Sequence, residues 1–389
     1  MKKFGIFIGI GLFFLFVVAG LPAHSIAKET LKIGMIYPLS GPAMAWGVNL
    51  QTTLEIISEE INSKGGLQVG SKVYEIKIIP YDDKYMPEPA LTAANRLVYE
   101  DKVKYIFGPM ASNAALAVQV ASEKEKILLL PSCFTRKGLG PDKPFTFRWS
   151  TTPFEYAIPE AAWIAKNRDV KSVVIVGPNS ETGREGIEGG RQGFQKAGVK
   201  ILAEEFYEPG APDMLPLVTR LMRYNPDLID FDGGSPGDVV NIAKTARAQG
   251  YKKLVSKVGG GGDVCYGAAP EALEGLMFNL EADMTVTTGK QGELVAEVKR
   301  RKPQIPLDSM IPKVYTMFMM LAKAMQNAGT VEDTNAVRLA LERIDNFEGL
   351  GGKFGWTGKE AYGINHQLKA PIVFAGGVGG KIVTLAIFR

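Results

Sequence analysis

The segment VKYIFGPMASNAALAVQVASEKEK, residues 103–126, runs from a short apolar strand through a Gly-Pro break into a helix. VKYIF reads as a buried strand and AALAVQVASEKEK as a helix, so Ser112 and Asn113 stand at the mouth of that helix. Two roles suit these residue types there. As helix caps, they satisfy the orphan amides of a first turn. Alternatively, the amides and the Ser112 hydroxyl hold the carboxylate of a ligand.

Working outward, strands and helices alternate. LKIGMIYP (31–38) is a short apolar run. Leu50, Leu54, Ile57 and Ile61 then recur at helical spacing, and Lys64-Gly65-Gly66 stops that helix. In KVYEIKIIP (72–80) apolar residues alternate with Glu75 and Lys77, which is strand periodicity. The helix PALTAANRLVYED follows, then the quoted segment, then the strand ILLLP (127–131). Short apolar strands in βαβ order predict a parallel sheet covered on both faces.

The pattern starts again at Thr152-Pro153, where Glu155 completes a capping box and opens a helix through Trp163. SVVIVGP (172–178), KILAEEFY, LIDFDGG and KLVSKVG read as strands separated by helices. Two similar α/β halves predict two lobes. After GLMFNLEA (275–282) the chain turns helical in three segments, whose Met317, Met319 and Met320 are expected in the core. PIVFAGGVGGKIVTLAIF then reads as a β-hairpin turned by glycines.

Residues 1–27 stand apart from this pattern. A basic start, the apolar run FGIFIGIGLFFLFVVAGL and the small-x-small site Ser25-Ile26-Ala27 predict a cleaved secretory signal and a periplasmic protein. Loss of Lys2 and Lys3 leaves 43 basic against 41 acidic residues. That balance gives no electrostatic reason to expect nucleic acid or a membrane surface as partner. Cys133 and Cys265 can pair or remain buried thiols; the sequence does not decide. His366 is the one histidine left after the leader, so neither a His-dependent catalytic pair nor a zinc site has its usual residues. No metal or cofactor is expected, and His366 reads as structural.

In a parallel sheet the loops after the strand carboxyl ends share one edge, where ligands bind. Those loops are PLSGPAMAWG (38–47), GPMASN (108–113) and PSCFT (131–135) in the first half. In the second they are GPNSETG (177–183), GGSPG (233–237) and VGGGGDVCYG (258–267). The glycines 259–262 lack the Lys-Ser or Lys-Thr of a phosphate loop and read as a flexible turn. Asp82-Asp83 reads as part of a solvated loop.

IGMIYPLSGPAMAWG, the helix ending INSKGG, YDDKYMPEPALTAANRLV and KYIFGPMAS resemble the leucine/isoleucine/valine-binding proteins of bacterial ABC importers, most specifically over residues 31–135. The resemblance implies an α/β type I periplasmic binding fold, with two Rossmann-like lobes joined by three hinge segments near 149–152, 279–283 and 356–362. The lobes would comprise 28–150 with 283–357, and 151–282 with 358–389. By the family pattern Ser112 with its neighbouring amides holds the ligand carboxylate, Trp46 packs on its side chain, and Ser132 contacts it through the backbone. Phe134 falls where the family has a threonine, unless a one-residue shift brings Thr135 there. Thr182 and Ser235 fall where the family has second-lobe aromatics. The family's ammonium-binding carboxylate falls in the glycine run near Val258 and Gly259, where Asp263 substitutes only with a different loop path.

An ammonium without that partner would lose several kcal/mol, on the order of a broken buried pair. The expected ligand is therefore a small carboxylate with an apolar or aromatic body against Trp46 and Phe134. The alternative is a standard amino acid held by Asp263 or Asp232. The resemblance implies a monomeric, non-enzymatic receptor feeding a membrane permease, with Trp46, Ser112, Asn113, Ser132, Cys133, Phe134, Thr182, Ser235, Gly259 and Asp263 as candidate ligand-site residues. A sensor domain of the same fold, or a hydrolase using Ser112 or Cys133, are the competing classes.

Overall fold

The strand at residues 29–37 starts exposed and ends with five consecutive buried residues, the pattern of a strand covered on both faces. It belongs to a computed structural model that describes residues 28–258 and 261–388, together with Met1 and Gly5. Apart from Met1 and Gly5, the leader predicted over 1–27 lies outside the described residues, as does the candidate Gly259. The first sheet contains β1 (Glu29–Tyr37), β2 (Leu67–Val69), β3 (Lys72–Asp82), β4 (Tyr105–Phe107) and β5 (Leu128–Leu130), in the order β2-β3-β1-β4-β5. All its pairs are parallel except β2 with β3. That hairpin, turned at Gly70-Ser71, is absent from the sequence reading, which saw one strand where two residues of turn separate a pair.

The covering helices are α1 (Met44–Ser63), α2 (Pro87–Asn95) and α3 (Ser112–Lys124). Leu50, Leu54 and Ile57 of α1 are fully buried, each contributing about 1.5–3 kcal/mol. The helix ends where predicted. Gly66 has φ +102° there, and a Cβ on it would lie 2.7 Å from the Tyr74 carbonyl oxygen.

The second half repeats the plan with α4 (Pro153–Arg168), α5 (Glu181–Lys196), α6 (Leu215–Arg223), α7 (Pro236–Ala248) and the short α8 (Gly262–Ala268). Its strands are β6 (Ser172–Pro178), β7 (Lys200–Tyr207), β8 (Leu228–Phe231), β9 (Leu254–Lys257) and β10 (Met277–Leu280). At the entrance to α4 the Glu155 carboxylate accepts the Thr152 N–H at 2.8 Å, the returning half of the predicted capping box.

The chain then supplies α9 (Gly289–Arg301), α10 (Met310–Ala328) and α11 (Thr334–Glu342), of which α9 and α10 pack on α1. Met317 and Met320 are fully buried in the first core and Met319 packs against it, as expected. A small sheet of β11 (Phe347–Gly349), β12 (Gly352–Thr357) and β13 (Gln367–Lys369) follows. Leu368 of β13 sits in the same apolar core as Tyr37 and Phe107. The predicted hairpin, β14 (Ile372–Val378) and β15 (Lys381–Phe388), then joins the second sheet next to β10. The second sheet runs β15-β14-β10-β9-β8-β6-β7.

Both sheets reverse strand order once: the first between β1 and β4, the second between β6 and β8. A crevice opens outside the strand carboxyl ends at each reversal. The flanking helix starts are α1 and α3 in one lobe, α5 and α7 in the other.

Candidate functional site

Gly108 ends β4 with φ +94°, and a Cβ there would lie 2.0 Å from the Ile36 carbonyl oxygen. Only glycine passes that close to β1, and the turn it makes delivers the first turn of α3 to the crevice. Ser112 is the first helical residue, since Ala111 occupies the N-cap in an extended conformation. The plain cap role is therefore not its role. Its hydroxyl oxygen accepts the N–H groups of Phe134 and Thr135, each at 3.2 Å, leaving its own hydrogen to donate. Its amide donates across the lobe boundary to Thr182 Oγ1 at 2.8 Å. Among the described residues the amides of Asn113 and Ala114 find no acceptor.

Two cavities meet at this boundary. The inner chamber is lined by Trp46, Tyr85, Met110, Ser132, Phe134, Thr182, Gly233, Lys257, Gly261, Glu281 and Met310, and encloses about 20 Å³, room for one water. The outer cleft holds about 770 Å³ and is lined by Asn113, Leu116, Pro178 to Glu181, Ser235 and Asp238, and by Tyr85 on its inner side. In the chamber wall Trp46 lies against the second lobe: a Cβ on Gly261, which has φ +67°, would stand 2.5 Å from its ring. Tyr85 leans on Trp46, ring centroids 5.9 Å apart, and holds a left-handed backbone at φ +63° beside Lys84 at +51°. Such geometry costs on the order of 1 kcal/mol per residue and clusters at functional loops. Trp46 Nε1 and Ser132 Oγ are buried without a hydrogen-bond partner among the described residues.

The second-lobe face is furnished with ionisable groups. Asp230 and Asp232 lie fully buried behind the carboxyl end of β8, and burial raises both carboxyl pKa values. Asp230 accepts from the Ser256 hydroxyl and from the Val258 N–H at 3.3 Å, whereas neither Asp232 oxygen has a partner among the described residues. Glu160, buried on α4, is raised by burial and accepts from Asn279 at 3.1 Å. Lys257, the last residue of β9, is 1% exposed and lines the chamber. Among the described residues no carboxylate comes within 4 Å of its ammonium.

Where the lobes join, buried Glu281 is bound to Lys313 and accepts from Thr151 Oγ1 at 3.0 Å and the Thr151 N–H at 3.3 Å. Further bonds cross the boundary at the rim. Lys137 meets Glu181 at 2.8 Å, Thr135 Oγ1 meets Glu181 and Glu185 at 3.3 Å, and the Gly237 N–H donates to the Pro42 carbonyl at 3.0 Å. The lobes are closed upon one another.

Of the candidates from sequence, Trp46, Ser132, Phe134 and Thr182 line the chamber. Phe134, rather than Thr135, is the one that faces it. Asn113 and Ser235 line the outer cleft, with the Ser235 hydroxyl accepting the Asp238 N–H at 3.2 Å as the cap of α7. Cys133 is buried and lines neither cavity, and burial pushes its thiol pKa up, against nucleophilic use. Cys133 and Cys265 are unpaired, and burial pushes Cys265 up to about 12.

Asp263 corrects the sequence expectation. It is buried, lines neither cavity, and accepts the Ser309 N–H at 2.5 Å, so its carboxylate fastens α8 to the start of α10. Asp83 is a second correction. Far from solvated, it is fully buried, and its pKa is pushed up to about 7 by burial. Its partner Asp82 does the loop work, accepting from the Leu39 and Lys84 amides at 2.8 Å. Tyr85, Lys257 and Glu281 were missed. Tyr85 follows the carboxyl end of β3, a loop of the kind the sequence reading counted elsewhere. Lys257 carried a signal too: a lysine ending an apolar strand on the ligand-binding edge. His366 is structural as expected, stacked on Phe147 at 3.7 Å and bonded to Glu342 at 2.9 Å.

Among the described residues no group of three or more His, Cys, Asp or Glu is placed to hold a metal ion, and no helix is long and apolar enough to cross a membrane. The profile of one protein family, described as periplasmic binding protein, matches residues 30–381. A Leu/Ile/Val-binding protein of Rhizobium johnstonii is 24% identical over 331 residues, 84% of this chain and 87% of that one. Among solved structures, a leucine binding protein from Thermotoga maritima superposes with TM-score 0.80 at 21% identity, covering 92% of this chain and 99% of that one. A solute binding protein of an ABC transporter from R. palustris, in complex with benzoate, gives TM-score 0.79 at 18% identity, covering 92% and 96%.

Proposed function

The chain belongs to the periplasmic binding protein family, and from that premise we propose that it captures a small carboxylate-bearing solute between its lobes and delivers it to the permease of an ABC importer. The observation that carries this reading is the first turn of α3, buried at the lobe boundary, with the Ser112 amide capped, among the described residues, only by Thr182 of the facing lobe. Thr182 Oγ1 occupies the place of a carboxylate oxygen. A solute acid takes that place when the lobes open, and the Ser112 hydroxyl hydrogen and the Asn113 amide add further donors. Trp46 and Phe134 supply the apolar walls.

Closure over the solute selects the form that the permease receives. We assign the lobes as 28–150 with 283–369 and 151–282 with 372–389, because Leu368 packs in the first core. The third hinge is then residues 370–371 in place of 356–362. The protein acts as a monomer, exported through cleavage after residue 27, and turns over nothing: the buried Cys133 thiol and a histidine held by Glu342 offer no nucleophile–base pair.

The test is a thermal-shift screen of residues 28–389 against aromatic acids, aliphatic acids and amino acids. An acid at one hundred times its dissociation constant adds about 2.7 kcal/mol of stability. Recovery of that acid unchanged supports a receptor, and its conversion contradicts one. Hydrogen exchange that changes on binding at 149–152, 279–283 and 370–371 supports the hinge assignment, and change at 356–362 instead contradicts it.

A further inference from the structure

Resting on that reading, the chamber's second-lobe wall narrows the class of solute. Its polar groups are unequal. Glu281 is the chamber's carboxylate, and both its oxygens are committed, one to Lys313 and the Thr151 N–H, the other to the Thr151 hydroxyl. Asp263 has turned away to Ser309, and Asp232 does not line the cavity. Glu281, the carboxylate of that lining, therefore has three of its roughly four acceptor sites filled and its charge already paired with Lys313.

A basic residue lines it as well. Lys257 is 1% exposed and lines the chamber, beside Trp46, whose indole N–H has no partner among the described residues. An ammonium brought into this space would meet like charge and an uncommitted donor. Burying it without a counter-ion is among the largest penalties a binding site can impose. An oxygen, anionic or phenolic, would meet two donors.

We infer that Lys257 and the Trp46 indole together form an oxygen-recognising subsite, so the solute is an organic acid with a second oxygen function at its far end and no amino group. The carboxylate takes the mouth of α3, and a carboxylate or hydroxyl takes the subsite. Lys257 also acts through its charge on the buried Asp230 and Asp232 carboxyl groups, which compete with a solute oxygen for it.

The experiment uses two pairs of probes matched in shape and opposite in far-end charge: terephthalate against 4-(aminomethyl)benzoate, and adipate against 6-aminohexanoate. Calorimetric titration of the wild-type protein is expected to show at least one diacid binding ten times or more tighter than its amino partner. L-leucine is expected to bind more weakly than that diacid. In Lys257→Met the diacid falls at least tenfold while benzoate changes less than threefold, and Lys257→Arg retains the preference. An amino acid or amino-acid probe binding tighter than the diacids overturns the inference while leaving the receptor reading intact, provided Ser112→Ala weakens that ligand. A folded Lys257→Met that keeps the diacid preference assigns Lys257 to the aspartate pair alone and overturns it as well. If Lys257→Met fails to fold, the wild-type probe pairs and Lys257→Arg decide. Binding of none of these probes contradicts both readings.

Discussion

The two faces that meet across the cleft share a plan and differ in furniture. Each is the carboxyl edge of a parallel sheet at the point where strand order reverses. The first-lobe face offers neutral donors, namely the amides of α3, the Ser112 and Ser132 hydroxyls and the Trp46 indole. The second-lobe face offers buried charge, with Lys257 in the chamber lining and Asp230, Asp232 and Glu160 buried in the same lobe. Topology alone therefore places a crevice, and on the proposed reading the side chains decide which solute fills it. A neutral donor face accepts any carboxylate; a buried cation opposite it excludes solutes that bring a second positive charge.

The largest expected effect lies at the junction of the two faces. Lys313→Met leaves the buried Glu281 carboxylate without its counter-ion and should cost about 3–5 kcal/mol in chemical denaturation. Converting both partners to apolar residues of similar volume should recover most of that loss. A small effect of Lys313→Met would place the charge in contact with solvent and blur the contrast between faces.

Asp83 is an exception on the first-lobe side, and its pH behaviour sharpens the comparison. Its folded-state pKa is raised by burial to about 7. The stability it lends is complete below the unfolded carboxyl value near pH ~4 and is lost as pH rises through about 7. Asp83→Asn cannot ionise. It should match the wild type near pH 4 and exceed it by on the order of 4 kcal/mol at pH 8, read as the difference between two melting curves across that range. A constant difference would mean that Asp83 ionises as freely folded as unfolded.

Ser112→Ala comes next. Loss of a hydrogen bond to a charged group should weaken a carboxylate solute by about 1.5–3 kcal/mol in calorimetric titration. An unchanged affinity would leave Ser112 only its structural task of receiving the Phe134 and Thr135 amides.

The smallest effect tests Thr182 as a stand-in. Thr182→Val removes the acceptor from the Ser112 amide in the empty protein and should lower its stability by about 1 kcal/mol. The acid should bind up to tenfold tighter, because it no longer displaces an internal bond. Weaker binding would make Thr182 a ligand contact in its own right.

The contrast between faces also explains what the sequence discloses. The strands and helices were legible because each apolar run is short, periodic and closed by Gly, Pro or a cap. Ile33, Leu54 and Val174 announce their burial by spacing. The loops that carry Trp46, Ser132 and Phe134 were legible as neighbours because loops on one sheet edge must converge, while the roles expected of Trp46 and Ser132 rested on the family resemblance; all three residues line the chamber. The hairpin at Gly70-Ser71 and the small sheet around Leu368 were not, since three-residue strands leave too little periodicity to register. The charged second-lobe face was the harder part. Whether Asp263 faces a ligand or a neighbouring helix depends on where α8 points, a matter of tertiary packing. Asp83 was misread for the same reason: an acidic pair signals solvent until a fold buries one member.

The central claim is that a solute acid replaces Thr182 at the mouth of α3. The direct measurement is a crystal structure of residues 28–389 with the tightest-binding acid among the probes. The account predicts a carboxylate oxygen within hydrogen-bonding distance of the Ser112 and Asn113 amides, with Thr182 Oγ1 moved off the Ser112 N–H. An acid bound elsewhere, with the 2.8 Å bond between Ser112 and Thr182 intact, would contradict it.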